Sequence, residues 1–380
     1  MAPVVSSSYD LEGPERYEDL FLLDKDECWW RDRYEVFIQH GYELRPRFRP
    51  GWKPSWEGTK KPPFLCEDGQ FNMHPKTMDA TRTSDGKRIK MKKLVKSSKE
   101  LEIARFFSSE DMSKDPRNHC VSVLDVFSEE GSRLEFMVMP LLTSYQDPPF
   151  STVDEALDFV KQLLEGLVFM HEHRVAHRDC SSINIMMDGD PLYSKGFHPS
   201  LPMLDASGKM ARPRRRRNAQ GVKYYFVDFG ISSRFDGTEQ TRLVTGRDGL
   251  DKDVPELHQS VPYDPFLVDI FILGNLFRKE LIYVYDNMSF LEPLVERMTE
   301  QEPSDRPTAS EALAMFNDLV RKQSPRSLRW TLIHFDGTKF DRAVWTTESL
   351  VHELSILVKT SLTFMKRGTL KENRTNWWHL

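Results

Sequence analysis

The sequence predicts an α+β protein in which a strand-rich part comes first and a larger helical part follows. Three patterns support this. Between residues 64 and 142 the runs KRIKMKKL, CVSVLDVF and LEFMVMPLL are short, rich in apolar residues and strand-like. Among them lies SSKELEIARFF, whose Leu101, Ile103, Phe106 and Phe107 fit one helical face better than an alternating strand. From residue 151 the period changes. STVDEALDFVKQLLEGLVFMHEH repeats apolar residues at 156, 157, 160, 163, 164 and 167, behind Thr152 and Glu155 in the spacing of a reciprocal N-terminal cap.

Taken in order, residues 1–63 are an arm rich in aromatics, prolines and charges. Pro46, Pro50 and Pro54 exclude a long helix there, and Trp29, Trp30, Trp52 and Trp56 are expected to dock an extended segment on a larger body. Residues 64–142 form the small α+β part. Residues 143–322 form the helical part, which closes with a second capped helix, Thr308 and Glu311 standing ahead of ALAMFNDLV. Within it, residues 189–222 are rich in Gly, Pro and Ser and end in ARPRRRRN, which reads as a surface insertion. The run Arg212–Arg217 suits an import receptor or another acidic partner, or equally a solvated loop that binds neither. Residues 323–380 are a tail with Trp330, Trp345, a helix expected near 347–365 and a closing WWHL.

Composition narrows the class. Over 380 residues the formal net charge is -5, so no overall field argues for nucleic acid or an anionic membrane as partner. Cys28, Cys66, Cys120 and Cys180 show no CxxC spacing, which disfavours structural zinc and suits the reduced thiols of an intracellular protein, cytoplasmic or nuclear. The opening MAPVVSSSYDLEGPE lacks the apolar run of a secretory signal, and LSILVKTSLTFM is too short for a membrane span and carries Lys359.

The chemistry concentrates in VAHRDCSSIN and YYFVDFG. Moving a phosphoryl group needs a carboxylate near the acceptor hydroxyl, a cation on the donor phosphates and oxygen ligands for magnesium. Asp179 and Asn184, five residues apart on one tight loop, supply the first and part of the third. Asp228 ends an apolar strand and can bridge magnesium, Phe229 can pack inward, and Gly230 frees the turn that follows. In this order HRDCSSIN and DFG resemble the catalytic and magnesium loops of the eukaryotic protein-kinase-like superfamily. The resemblance covers residues 64–322. It implies a two-lobed fold, with a small β-rich lobe and a larger α-helical lobe, and ATP and Mg2+ in the cleft. It also implies transfer of the γ-phosphate to a hydroxyl of a protein substrate, Ser or Thr favoured over Tyr.

The other landmarks follow from the same resemblance. Ile89 to Lys92 match the family's third-strand VAIK, making Lys92 the phosphate-holding lysine with Lys90 as competitor. Glu100 is its ion-pair partner on the small-lobe helix, with Glu102 second. Met139 stands at the gate of the adenine pocket and Pro140 to Leu142, Leu141 among them, along its edge. Asp179 orients or deprotonates the acceptor, while Asn184 and Asp228 hold metal. His177, Arg178, Phe229 and Gly230 have structural or regulatory parts; Glu256 of VPEL pairs with Arg306; Asp269 holds the HRD backbone, on the helix that carries Gly274. Arg178 resembles the arginine that captures an activation-segment phosphate, for which Thr238, Thr241 and Thr245 are candidates.

Three departures bear on catalysis. Ser181 stands where the family's serine/threonine kinases carry a lysine, and Gly249 where they carry a threonine that contacts the aspartate. Gln70, Asn72 and Pro75 replace the glycines of the nucleotide loop, and Pro75 also removes an amide donor. Losing one preorganised charge at such a transition state costs on the order of 10²- to 10³-fold in rate. The reading is an ATP-dependent protein kinase, with a pseudokinase scaffold, nucleotide-bound or nucleotide-free, as the alternative.

Overall fold

A computed structural model of the chain describes residues 21–205, 208–216, 219, 221–237, 241–355 and 358. The fold is mixed α+β, and the chain divides into two compact units. The first gathers the described residues up to Arg105 with Val121–Thr143 and Asp188–Arg214; the second gathers Phe106–Cys120, Ser144–Met187 and those from Arg215 onward.

The first unit is built on a five-stranded antiparallel sheet. Its strands are β1 (Tyr42–Leu44), β2 (Thr77–Arg82), β3 (Arg88–Val95), β4 (Asp125–Phe127) and β5 (Leu134–Pro140), in the order β1-β2-β3-β5-β4. Met78 faces Met91 and Lys92 faces Met137 across the ladders. The two-residue period of β3 sends Ile89 and Met91 to one face and Lys90 and Lys92 to the other. Helices α1 (Lys25–Arg31) and α2 (Tyr34–Gln39) cover the apolar face, where Trp30 and Phe37 lie with Phe136 at ring separations of 5.1–5.8 Å. The segment expected to be an extended arm therefore contributes two short helices and an edge strand. Its prolines do not prevent the helices, because both end before Pro46 and α1 starts at a reciprocal cap between Asp24 and Glu27. Arg47, fully buried, ties the segment together by donating to both Glu27 oxygens, at 2.9 and 2.7 Å, and to the Asp68 carbonyl.

Part of the insertion, expected on the surface, also belongs to this unit and is packed into it. Leu192, Tyr193, Phe197, His198 and Leu204 are buried, and the Arg88 guanidinium lies over the Phe197 ring. Arg45 joins Asp79 of β2, at 2.9 Å, to Glu67 and His198. Burial alone would raise the Asp79 carboxyl, but Arg45, Lys90 and His198 outweigh it and hold it below the usual carboxylate range. Helix α3 (Lys99–Phe107) follows β3 and buries Leu101, Ile103, Ala104 and Phe107.

The second unit carries α4 (Glu110–Ser113), α5 (Val153–Glu172), α6 (Pro265–Phe277), α7 (Glu292–Met298), α8 (Ala309–Arg321) and α9 (Pro325–Leu328). Two small sheets frame its loops: β7 (Val175–Ala176) antiparallel to β10 (Ser233–Arg234), and a three-stranded sheet in the order β6-β8-β9, with β6 (Thr143–Ser144), β8 (Ile185–Met187) and β9 (Tyr224–Phe226), the last two antiparallel. The two expected caps diverge. Thr308 and Glu311 form the reciprocal box, whereas Thr152 makes no side-chain cap to α5; its hydroxyl donates to Asp154, and Glu155 accepts from the Ser151 amide at 2.7 Å. Helix α6 is buried on nearly every side, and a Cβ at Gly274 would meet the Met298 Cβ at 2.6 Å, so the glycine permits the close approach of α6 to α7. In the tail, residues 339–355 are helical; the rest of the expected helix, except residue 358, and the WWHL terminus lie outside the described residues. Among the described residues no helix is long and apolar enough to cross a membrane.

Candidate functional site

In the second unit one buried carboxylate organises the loop that holds Asp179. Asp269 of α6 accepts from the His177 amide at 2.8 Å, the Arg178 amide at 2.6 Å and His171 Nε2 at 3.0 Å. An interior charge needs such a set of donors. His177 is fully buried, and burial pushes its pKa below the ordinary value despite the nearby carboxylates of Asp269 and Asp179. The neutral ring donates from Nε2 to the Val227 carbonyl at 3.1 Å and accepts on Nδ1 from the Asp179 amide at 3.3 Å. It thus joins the Asp179 loop to the strand end that leads to Asp228. Phe229 is buried, its ring 5.3 Å from His177 and 5.8 Å from Phe107.

Asp179 and Asn184 meet. The Asn184 amide donates to Asp179 Oδ2 at 2.8 Å and to the Asp179 carbonyl at 2.9 Å, across a single 3-10 turn over Ser182–Asn184. The Val227 amide donates to the Asn184 carbonyl at 2.9 Å, so Asp228 leaves its strand directly beside Asn184. Asp228 is exposed at φ +64°, and the Gly230 amide donates to its Oδ1 at 3.1 Å. Ser181 offers no cation here; its hydroxyl is buried with no hydrogen-bond partner among the described residues. With glycine at 249, the backbone reaches Asp179 instead: the Leu250 amide donates to Asp179 Oδ1 at 2.9 Å. Sequence reading missed Leu250, since a main-chain donor leaves no side-chain signature.

Arg178 is engaged by main-chain and hydroxyl oxygens. Its guanidinium donates to the carbonyls of Ile231 at 3.0 Å and Thr245 at 2.9 Å and to the Tyr263 hydroxyl at 3.2 Å, and that hydroxyl donates to the Gly246 carbonyl at 2.8 Å. Thr241 and Thr245 are exposed, and Thr238 lies outside the described residues. Tyr263 also escaped sequence reading. Glu256 and Arg306 form a two-pronged pair at 2.5 and 2.9 Å, and Arg306 donates further to the carbonyls of Glu300 and Leu267.

In the first unit Lys92 Nζ donates to Glu100 Oε1 at 2.5 Å, both side chains being buried, while Glu102 is exposed. Lys90 is half-buried on the same face of β3 beside Asp79, and burial lowers its pKa. Met139 is buried on β5 opposite Lys90, and Leu141 is half-buried just past the strand end. Residues 70–76, where the glycine loop of the resembled family was expected, form no strand. Asn72 donates to the carbonyls of His74 and Thr77, and Trp30 Nε1 to that of Pro75 at 3.2 Å.

No protein-family model matches the chain. A stretch of 120 residues, 32% of the chain, is 27% identical to a probable myosin light chain kinase of Dictyostelium discoideum and covers 23% of that protein. The chain thus spans under a quarter of this relative's length, and the likeness is a partial and distant one to a kinase.

Proposed function

We propose that the chain is a protein-kinase-like phosphotransferase that uses ATP and Mg2+ to phosphorylate a protein hydroxyl, Ser or Thr before Tyr. In this reading the first unit corresponds to the small lobe and the second to the large one. The observation that carries it is the hydrogen-bonded Asp179–Asn184 pair with Asp228 brought beside it by the Val227–Asn184 backbone bond. Asp179 orients the acceptor hydroxyl and takes its proton as the oxygen–phosphorus bond forms and the bond to ADP breaks. Lys92, braced by Glu100, serves the phosphates.

The donor set suits magnesium. The Asn184 side-chain nitrogen is spent on Asp179, which leaves its amide oxygen as the atom that could ligate, and Asp228 adds an exposed carboxylate. Among the described residues no group of three or more His, Cys, Asp or Glu could hold a metal unaided, so phosphate and water oxygens would complete the shell, as magnesium prefers. Bound there, the ion would neutralise charge on the phosphates.

The distant likeness to a kinase accords with this reading, as do four free cysteines with an intracellular setting, cytoplasmic or nuclear. For an acidic partner or import receptor, Arg212, Arg214 and Arg215 are exposed; Arg216 is buried, and Arg217 lies outside the described residues.

The test is Asp179→Asn in the full chain. With radiolabelled ATP and Mg2+, autophosphorylation is expected to fall about 10²- to 10⁴-fold while thermal stabilisation by Mg-ATP persists. Unchanged transfer would overturn the assignment. Two observations favour a second reading, a pseudokinase: the segment in place of the glycine loop is tied to itself and to Trp30, and the Ser181 hydroxyl has no partner among the described residues. Stabilisation by Mg-ATP with no transfer by the wild-type chain would select it.

A further inference from the structure

Asp179 lacks both side chains that the resemblance leads one to expect beside it, yet its carboxylate is fixed at both oxygens. Oδ2 accepts from Asn184 and Oδ1 from the Leu250 amide at 2.9 Å. That amide belongs to the same peptide unit as the Gly249 carbonyl, and the carbonyl is taken by Lys252 Nζ at 2.6 Å. The same ammonium takes the Arg247 carbonyl at 2.7 Å. One cation therefore closes residues 247–252 on themselves. Because the C=O and N–H of a trans peptide point in opposite directions, anchoring the Gly249 oxygen on Lys252 aims the Leu250 hydrogen at Asp179. An ammonium has three donors and its bonds are charge-assisted, so it suits two carbonyls at once. Gly249 completes the geometry, since a Cβ there would lie 2.9 Å from the Arg178 carbonyl and push the two loops apart.

We propose that Lys252 is a positioning residue: it clamps the Arg247 and Gly249 carbonyls and so holds the Leu250 amide on Asp179, a main-chain replacement for the side chains absent at 181 and 249. Its bearing on catalysis rests on the reading of Asp179 as the residue that orients the acceptor; the clamp itself does not. Lys252 is exposed, so removing its charge leaves the packed interior intact.

The experiment uses the full chain with Lys252→Met, which keeps the apolar stem and loses the donors, and Lys252→Arg, which keeps them. Two quantities are read: hydrogen exchange at the Leu250 amide, and autophosphorylation with Mg-ATP as the probe. In Lys252→Met the Leu250 amide should exchange roughly tenfold faster or more, the order expected for loss of a charge-assisted contact. The kcat should fall comparably with the KM for ATP unchanged, and Lys252→Arg should restore both. Unaltered Leu250 exchange in Lys252→Met overturns the clamp, and faster exchange with undiminished transfer overturns its positioning role. If the wild-type chain transfers no more phosphate than Asp179→Asn, the kinase reading falls instead, and exchange alone supports or overturns the clamp.

Discussion

At Gly249 a single missing side chain sets how closely two loops approach. A threonine at 249, where the resembled kinases carry one, would place its Cβ against the Arg178 carbonyl, a main-chain atom that cannot swing aside, and β-branching adds stiffness. Gly249→Thr is therefore expected to lower autophosphorylation at least tenfold and to speed proteolysis of the 241–255 segment, the order of a misplaced catalytic group. A gain in activity in the same assay would contradict the packing described. The pairings of Lys92 with Glu100 and of Glu256 with Arg306 were legible only through the family resemblance, since local sequence left Lys90 and Glu102 as competitors, while Asp179 and Asn184 were placed on one loop without being paired. The Leu250 amide and the Lys252 ammonium were not legible. One is main chain, and the other reads as an ordinary surface lysine until the fold of 247–252 brings two carbonyls to it.

The elements divide in the same way. The strands around KRIKMKKL and LEFMVMPLL and the long helix α5 follow from local periodicity, and the structure has them. The N-terminal helices and β1 were hidden by their proline-rich setting, since what stabilises them is tertiary: Trp30 and Phe37 packed on the sheet, and Arg47 bonded to Glu27. The cap at Thr152 misled because its hydroxyl is drawn to the neighbouring Asp154, and Glu155 closes on Ser151 instead. Where an element end is fixed by a buried ion pair, truncation is costly. Glu256→Ala leaves the Arg306 guanidinium, whose side chain is 0% exposed, without its carboxylate, and about 3–5 kcal/mol of stability should be lost. Denaturant unfolding checks this; a loss under about 1 kcal/mol would mean that carbonyls alone satisfy the arginine.

Across the whole molecule, pH acts through histidines buried in the neutral state. His177 and His119 are both held below the ordinary value of 6.5, chiefly by burial. Above 6.5 neither state carries the proton. As pH falls through 6.5 the unfolded chain takes up protons that the folded one refuses, so stability drops until the depressed folded values are reached. Melting temperature should accordingly decline between pH 7.5 and 5.5, before the carboxylates Asp79 and Glu67, themselves held low, begin to matter. A flat profile over that range would show that the two rings do not control it.

The four arginines from Arg214 to Arg217 look interchangeable when written as letters. Arg216 is not: its guanidinium donates to the Tyr145 and Pro148 carbonyls and the Tyr224 hydroxyl and lies over the Phe150 ring. The string thus mixes an interior bolt with surface charge, and a tally of its positive letters overstates what a visiting molecule can grasp. Lysine swaps should be harmless at the exposed Arg214 and Arg215, yet at 216 they would trade a flat, many-pronged connector for a single point charge.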